Sequence, residues 1–220
     1  MAVASVQKIQ QQIIHALGDA KKYISQRNVV AARGIFEQLN NLYPGVDMIV
    51  EPYAEFEKTN GEYKRCINLL KDRLSKGFKV STYNYLGLAY LDGGYYWRAM
   101  KVFLVLIKKD SLCVAAYHNL SIVLEIIGLT DKAIIYLDKA VTISNGDFRL
   151  CKKLGDLRYE SSDYPGAIQS YKRIVDFSSE NEMESVFLNL GFCYFETGAN
   201  NDALDVLYEL GKLKGYASDD

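Results

Sequence analysis

The sequence is poor in proline and carries no excess of either charge. Its 220 residues include only three prolines. Because proline readily breaks a helix, this composition allows a largely helical protein. Lysines and arginines number 26 and aspartates and glutamates 27, which gives a formal net charge of -1. Since a nucleic-acid backbone is bound by a basic surface, we expect no nucleic-acid partner.

Long apolar segments and clustered cysteines are also missing. No apolar run is long enough to span a bilayer, and residues 1–22 have polar side chains at every helical turn. We therefore expect neither membrane insertion nor a secretory signal. The four cysteines lie far apart, without a CxxC pair: Cys66, Cys113, Cys151 and Cys193. This spacing predicts free buried thiols and no metal site, and it makes the reducing cytoplasm the expected location.

Sequence motifs for catalysis are absent as well. The chain has no phosphate-binding P-loop, no HExxH zinc motif and no calcium-binding loop. The only two histidines, His15 and His118, are far apart in the sequence. We therefore expect no enzymatic activity and no cofactor.

A repeat is the dominant positive signal in the sequence. A small residue recurs at spacings of 34, 33, 34, 34 and 36: Ala32, Cys66, Ala99, Ala133, Ala167 and Ala203. A bulky residue follows each of them four positions later: Phe36, Leu70, Phe103, Leu137, Tyr171 and Leu207. Another small residue precedes each of them by twelve positions: Ala20, Ala54, Gly87, Ser121, Gly155 and Gly191. A turn that usually contains glycine lies between the two small residues.

These spacings predict pairs of antiparallel helices, which we call helix A and helix B of each repeat. Small and large apolar residues recur at helical intervals on both sides of a turn, so the small residue of one helix admits the bulky residue of the other. A single pair cannot bury its apolar face, and the repeats must therefore stack. The apolar spacing within residues 6–17 predicts a core helix at the start of the first repeat.

Two stretches resemble the tetratricopeptide repeat (TPR), a 34-residue unit with Leu-Gly, Tyr, Gly, Ala, Phe and Pro at set positions. They are YLGLAYLDGGYYWRAMKVF (85–103) and LNLGFCYFETGANNDALDVL (188–207). The resemblance covers nearly the whole chain and implies an all-α, right-handed α-solenoid of about six helix-turn-helix repeats. It implies a single array over residues 1–220, with units at about 13–46, 47–79, 80–113, 114–147, 148–183 and 184–217. Glu57 and Arg73 replace apolar residues, and two extra residues near 178–185 are expected to lengthen one loop.

TPR proteins bind partners mainly through an inner groove formed by the A helices, and the resemblance implies the same use here. The matching positions of the third to fifth units are Asn84, Leu88, Leu91, His118, Asn119, Ile122, Glu125, Arg149, Lys152, Lys153, Asp156 and Tyr159. This lining passes from apolar to charged, which suits an amphipathic helix or an extended peptide with an acidic end. An ordinary solvated helix face is the alternative for each residue.

The best-known ligand of the family is the acidic C-terminal tail of heat-shock chaperones, held by a two-carboxylate clamp. The matching positions here are Asn84, Leu88, Asn119, Arg149 and Lys153. Leu88 cannot hydrogen-bond a terminal carboxylate and Asn84 carries no charge, so the sequence argues against this ligand.

The last unit is a second candidate interface. TPR arrays usually finish with an extra polar helix, whereas this sequence ends soon after helix B of the sixth unit. We therefore expect partial exposure of Leu188, Phe192, Phe195, Leu204, Leu207 and Tyr208. Exposed apolar patches often mark interfaces, which predicts self-association or a partner at this end.

Taken as one pattern, these features predict a non-catalytic interaction module. It would be an adaptor or scaffold that holds a peptide or helix of another protein in its groove. Two alternatives stay open: a cytosolic chaperone for a secreted or assembling protein, and a self-assembling structural scaffold.

Overall fold

The computed structural model describes residues 2–174 and 180–215, with side chains for 6–174 and 183–215. These residues form twelve α-helices and no strand. The helices are α1 (Ala2–Ser25), α2 (Val29–Leu42), α3 (Asp47–Thr59), α4 (Tyr63–Ser75), α5 (Val80–Asp92), α6 (Tyr96–Lys109), α7 (Val114–Ile126), α8 (Thr130–Ile143), α9 (Phe148–Glu160), α10 (Tyr164–Lys172), α11 (Glu180–Glu196) and α12 (Asn200–Leu213). The predicted all-α class is confirmed, and successive helices pack as hairpins from α1–α2 to α11–α12.

The chain divides into two compact units, residues 1–106 and 107–220, and the boundary falls within α6. In the first unit, Ala20, Phe36, Tyr53 and Phe56 are buried together. In the second unit, the largest fully buried side chains come from the repeat positions of α7 to α11, among them Leu120, Leu137, Leu154, Tyr171 and Leu190. Each unit therefore has a core of its own.

Each hairpin turn contains a residue with left-handed backbone just after helix A. In four turns it is a glycine, such as Gly128 with a φ of 77°. Ser162 takes the same conformation, with a φ of 60°, in the turn before α10. A non-glycine residue pays a modest steric cost there, which glycine avoids. Asp163 then caps α10, because its side chain accepts a hydrogen bond from the N–H of Gly166.

The small and bulky residues of the repeat meet across each hairpin. A Cβ atom added to Gly87 would lie 2.3 Å from the ring of Phe103, and one added to Gly155 would lie 2.4 Å from the ring of Tyr171. Phe103 and Tyr171 are both fully buried. The glycines are therefore required for close approach of helices A and B, as the spacing indicated.

Two charged residues that replace apolar ones in the first unit are held in ion pairs. Glu57 is fully buried, and its carboxylate accepts two hydrogen bonds from the Arg33 guanidinium at 2.7 and 2.8 Å. Arg73 donates two hydrogen bonds to Asp47, which hold the pKa of that carboxyl below its usual range. A buried carboxylate is tolerated only with such a partner, which Arg33 supplies to Glu57. Asp47 likewise supplies the counter-charge for Arg73.

Residues 180–185 of the segment expected to lengthen one loop lie in α11, and residues 178–179 lie outside the described residues, so that expectation stays a prediction. One other local expectation needs correction. The prediction of a core helix over residues 6–17 is wrong for 6–12, where the side chains are exposed. The reason is length, since α1 has 24 residues and α2 only 14, so the first turns of α1 extend past their partner.

Candidate functional site

The resemblance assigned groove positions to α7 and α9 of the second unit, and α11 is the next helix A along the chain. We call the exposed side of these three helices the inner face. Contacts between successive A helices show that these positions are neighbours. Lys153 of α9 reaches Glu125 of α7, and Tyr159 of α9 packs on Phe192 of α11. In the first unit, the predicted residues Asn84, Leu88 and Leu91 lie half-buried on α5.

The lysines of this inner face are paired with carboxylates. The Lys153 Nζ atom lies 2.9 Å from Glu125 Oε1, and the Lys152 Nζ atom lies 2.8 Å from Asp156 Oδ2. Arg149 is exposed at the start of α9 and forms no ion pair with another described residue. Of these three cations on α9, only Arg149 therefore lacks a carboxylate partner among the side chains that the structure describes.

Asp156 is the centre of a hydrogen-bond network that joins α9, α10 and α11. Its Oδ1 atom accepts a hydrogen bond from the Tyr171 hydroxyl at 2.8 Å. The Asn189 side-chain amide donates to that hydroxyl at 3.2 Å and lies 3.5 Å from Asp156 Oδ1. Burial raises the pKa of the Tyr171 hydroxyl, which therefore stays protonated and keeps donating.

The polar residues of α7 are largely withdrawn from the surface. Asn119 is only 8% exposed. His118 is half-buried, and burial, with the nearby Lys153 ammonium as a second cause, lowers its pKa. Two of the positions that match the carboxylate clamp are thus engaged or buried within the chain, since Lys153 pairs with Glu125 and Asn119 is buried. The argument against that ligand stays a prediction.

An aromatic cluster lies where the inner face passes from α9 to α11. The ring centroids of Tyr159 and Phe192 are 5.5 Å apart, and those of Tyr164 and Phe192 are 5.9 Å apart, both in edge-to-face contact. Phe192 remains 42% exposed in spite of these contacts. Leu188 and Phe195 flank it on α11 with exposures of 47% and 64%. The cluster and its two neighbours, Leu188 and Phe195, form what we call the aromatic patch.

The three residues expected to be exposed on α12 are exposed. Leu204 is 67% exposed, Leu207 43% and Tyr208 47%. They belong to helix B of the last hairpin, whereas Leu188, Phe192 and Phe195 belong to its helix A.

Three residues of the site escaped the sequence prediction: Tyr164, Tyr171 and Asn189. Tyr171 occupies the bulky position of the repeat, which indicated packing but not that its hydroxyl would reach Asp156. Tyr164 and Asn189 lie next to the predicted positions Phe192 and Asp156 only in three dimensions. A signal existed for Tyr171 alone, since a tyrosine at a buried position needs a partner for its hydroxyl.

Groups able to bind a metal are not brought together in the described part of the chain. No group of three or more His, Cys, Asp or Glu side chains is arranged to hold an ion there. The four cysteines are free thiols, and Cys66, Cys151 and Cys193 are buried. None of the helices described is both long enough and apolar enough to cross a bilayer.

No protein-family model matches the chain. A TPR repeat-containing protein of Methanocaldococcus jannaschii is 26% identical over 161 residues, which is 71% of this chain. The chain spans 27% of the length of that relative.

Solved structures give a broader match to the fold. The structure of PilF from Pseudomonas aeruginosa has a TM-score of 0.67 at 16% identity and covers 94% of both chains. A structure of MamA has a TM-score of 0.64 at 20% identity, over 76% of this chain and 91% of that one. A tetratricopeptide repeat protein from Parabacteroides merdae has a TM-score of 0.63 at 12% identity, over 92% and 80%.

TPR folds generally serve as non-catalytic modules for protein–protein interaction. The repeat spacing, the helical hairpins and the matches to known TPR proteins agree with one another. The resemblance seen in the sequence is confirmed, and the chain has the fold of a tetratricopeptide-repeat protein.

Proposed function

We propose that the chain is an adaptor or scaffold that holds an apolar segment of another protein on the inner face of its second unit. The aromatic patch is the observation that carries this proposal. Leu188, Phe192 and Phe195 are apolar, adjacent and between 42% and 64% exposed. Large apolar side chains of this kind are rarely grouped on a soluble surface without a binding role.

Packing within the aromatic patch restricts its side chains before a partner binds. Phe192 is fixed between the rings of Tyr159 and Tyr164, so little side-chain freedom is left to lose on association. Partly buried aromatic residues dominate the free energy of many protein interfaces. A partner helix with leucine or phenylalanine on one face would bury this patch.

The charges of the inner face define where a polar end of the partner would lie. Lys152 and Lys153 each already neutralise a carboxylate, Lys152 within α9 and Lys153 across to α7. Among the described residues, Arg149 has no such carboxylate, and it lies one helical turn before Lys152 and Lys153 on the same helix. We therefore propose that the partner places its apolar side chains on the aromatic patch and a carboxylate near Arg149.

A peptide-display experiment tests the proposal. Random 15-residue peptides are selected on the full chain, and the selected peptides are measured against Phe192→Ser and against Ile135→Ser. Ile135 is 55% exposed on α8, outside the inner face, so it controls for the loss of any exposed apolar residue. We expect Phe192→Ser to weaken binding by about tenfold or more, and Ile135→Ser to leave it unchanged.

The same selection can contradict the proposal. If Phe192→Ser stays helical by circular dichroism and binds every selected peptide as tightly as the unchanged chain, the aromatic patch is not the binding surface. Arg149→Glu gives a second arm, since it should weaken the binding of only those peptides that carry an acidic residue.

A reducing cytoplasm, where the free thiols persist, is the expected setting for such binding.

Self-association through the last repeat is a second proposal, supported by the exposed leucines of α12. It would make the chain a scaffold that assembles copies of itself. The chaperone alternative is distinguished from both, because a chaperone should keep an otherwise insoluble client in solution as a defined complex. An adaptor keeps its partner without changing the solubility of that partner.

A further inference from the structure

In the last hairpin one face of helix B is exposed, although the same face is buried in every earlier hairpin. At the bulky repeat position, Phe36, Leu70, Phe103, Leu137 and Tyr171 are at most 2% exposed, whereas Leu207 is 43% exposed. Three residues further along helix B, Leu106, Ala140 and Ile174 are fully buried, whereas Leu210 is only half-buried. The described residues after α12 add no helix over this face.

The exposed side of α1 is not complementary to this face of α12. Within the second unit, helix A covers the preceding hairpin with three apolar residues, for example Leu150, Leu154 and Leu157 of α9, all buried. The equivalent positions of α1 are His15, Asp19 and Lys22, which are exposed and polar. A second copy stacked head to tail would thus bury charged groups against leucines, which costs free energy.

The uncovered face is complementary to itself. Leu204, Leu207, Tyr208 and Gly211 follow one another at helical spacing and form one stripe along α12, here called the α12 stripe. Leu204 projects most, at 67% exposure. Leu207, Leu210 and Gly211 line a depression of about 290 Å³ with Glu184 and Lys214 at its rim. When two α12 helices cross antiparallel between Leu207 and Tyr208, Leu204 of each copy faces Gly211 of the other.

The charges beside the α12 stripe favour the same pairing. Asp205 and Lys212 are seven residues apart on one flank of α12, next to the stripe. In an antiparallel two-fold pair, residue i of one copy meets residue j of the other and the reverse. In this register Asp205 of each copy lies level with Leu210 of the other, two residues from Lys212. The long lysine side chain, which lies 3.6 Å from Glu209 of its own copy, can therefore also reach Asp205 at the edge of the contact.

We propose that two copies of this chain associate through antiparallel packing of their α12 helices, with Leu204 of each copy seated at Gly211 of the other. This inference rests on the self-association proposed above and gives it a contact and a symmetry. A single helix face is small among specific interfaces, so the dimer is weak and its population rises with concentration. The inner face takes no part in it.

Sedimentation of the full chain over a range of concentrations tests the dimer. We expect a monomer–dimer equilibrium, weakened by about tenfold or more in Leu204→Glu, which brings a charge into the contact. Gly211→Leu should weaken it similarly by filling the depression. Leu112→Glu is the matched control, because Leu112 is 72% exposed in the loop before α7 and lies outside the α12 stripe.

Mixing two charge variants tests the antiparallel geometry. Asp205→Lys alone places lysine near Lys212 of the other copy, and Lys212→Asp alone places aspartate near Asp205, so each variant should dimerise several-fold less than the unchanged chain. An equal mixture of the two should recover dimer as a heterodimer, since opposite charges then lie near each other at both sites.

The outcomes distinguish the α12 contact from self-association in general. A chain that sediments as a monomer at every concentration overturns both the dimer and the proposed self-association. A dimer that Leu204→Glu and Gly211→Leu leave intact overturns the α12 contact but not self-association. A dimer sensitive to both variants, yet without recovery in the charge mixture, overturns the antiparallel arrangement. Peptide binding by the aromatic patch is unaffected by all these variants and is judged separately.

Discussion

The hairpins α9–α10 and α11–α12 have the same design but different surroundings. Each has a glycine in helix A beneath a bulky residue of helix B, which is Gly155 with Tyr171 in one and Gly191 with Leu207 in the other. Tyr171 is fully buried, whereas Leu207 is 43% exposed. The difference arises because α11 packs against α10, while no described helix follows α12.

The inner face of the last hairpin is also less engaged in contacts within the chain than that of α9–α10. On α9, Lys152, Lys153 and Asp156 form ion pairs within the chain, and only Arg149 of the charged groove positions forms none with a described residue. On α11 the same register presents Leu188, Phe192 and Phe195 to solvent. The side chains of a hairpin inside the stack therefore contact neighbouring hairpins. The last hairpin has apolar side chains exposed to solvent, where other molecules can bind them.

The largest expected effect is the difference between Tyr171→Ala and Leu207→Ala. We expect Tyr171→Ala to lower the free energy of unfolding by about 3–5 kcal/mol, because a fully buried ring is replaced by a cavity. Leu207→Ala should cost about 1 kcal/mol, since only part of that side chain is removed from water. Urea denaturation followed by circular dichroism measures both. Equal losses would show that Leu207 is covered in solution.

A smaller difference in the free energy of unfolding is expected between Gly155→Ala and Gly191→Ala. A Cβ atom at Gly155 would lie 2.4 Å from the Tyr171 ring, whereas one at Gly191 would lie 3.2 Å from the nearest atoms of Leu207. We expect Gly155→Ala to destabilise the chain by about 1–2 kcal/mol, because overpacking outweighs the gain in helix propensity. Gly191→Ala should stabilise it by about 0.5 kcal/mol, since Leu207 can move into solvent. The same denaturation measurement applies, and destabilisation by Gly191→Ala would mean that the last hairpin packs as rigidly as α9–α10.

The smallest expected contrast concerns the buried thiols Cys151 of α9 and Cys193 of α11. Burial raises the pKa of both thiols, that of Cys193 to about 11, so neither reacts readily in the closed structure. Reaction then proceeds through local opening, which is easier in the last hairpin because fewer neighbours hold it. We expect a thiol reagent to modify Cys193 about tenfold faster than Cys151, as measured by mass spectrometry of peptides.

The pH dependence of that reaction shows which form reacts. A thiol exposed by opening has the ordinary pKa of 9.0, so the rate at Cys193 should rise with pH, reach half its maximum near pH 9 and level off above that pH. A rate that keeps rising towards pH 11 would mean that the reagent attacks the closed form. Equal rates at the two cysteines would contradict the difference in local stability.

Much of the fold could be predicted from the sequence, and less of the site. The spacing of Gly155 and Tyr171 predicted that a small and a bulky residue would meet, because a helical period determines which residues share a face. The positions of Arg149, Lys152 and Asp156 on one helix followed from the same period. That Lys153 pairs with Glu125 did not, since the interaction joins residues 28 apart. The aromatic contacts of Phe192 were likewise invisible, because Tyr159 and Tyr164 approach it from another hairpin.

The sequence by itself determined the repeat length, the helical hairpins and the residues that must be small, since these depend on periodicity and on steric size. Only the tertiary structure decided which charges remain available and which apolar side chains stay exposed. Pairing and burial depend on neighbours distant in sequence, and a residue at the same repeat position can be fully buried, as Tyr171 is, or open to solvent, as Leu207 is. The repeat specifies how each hairpin is built, and the stacking of hairpins specifies what is left for binding.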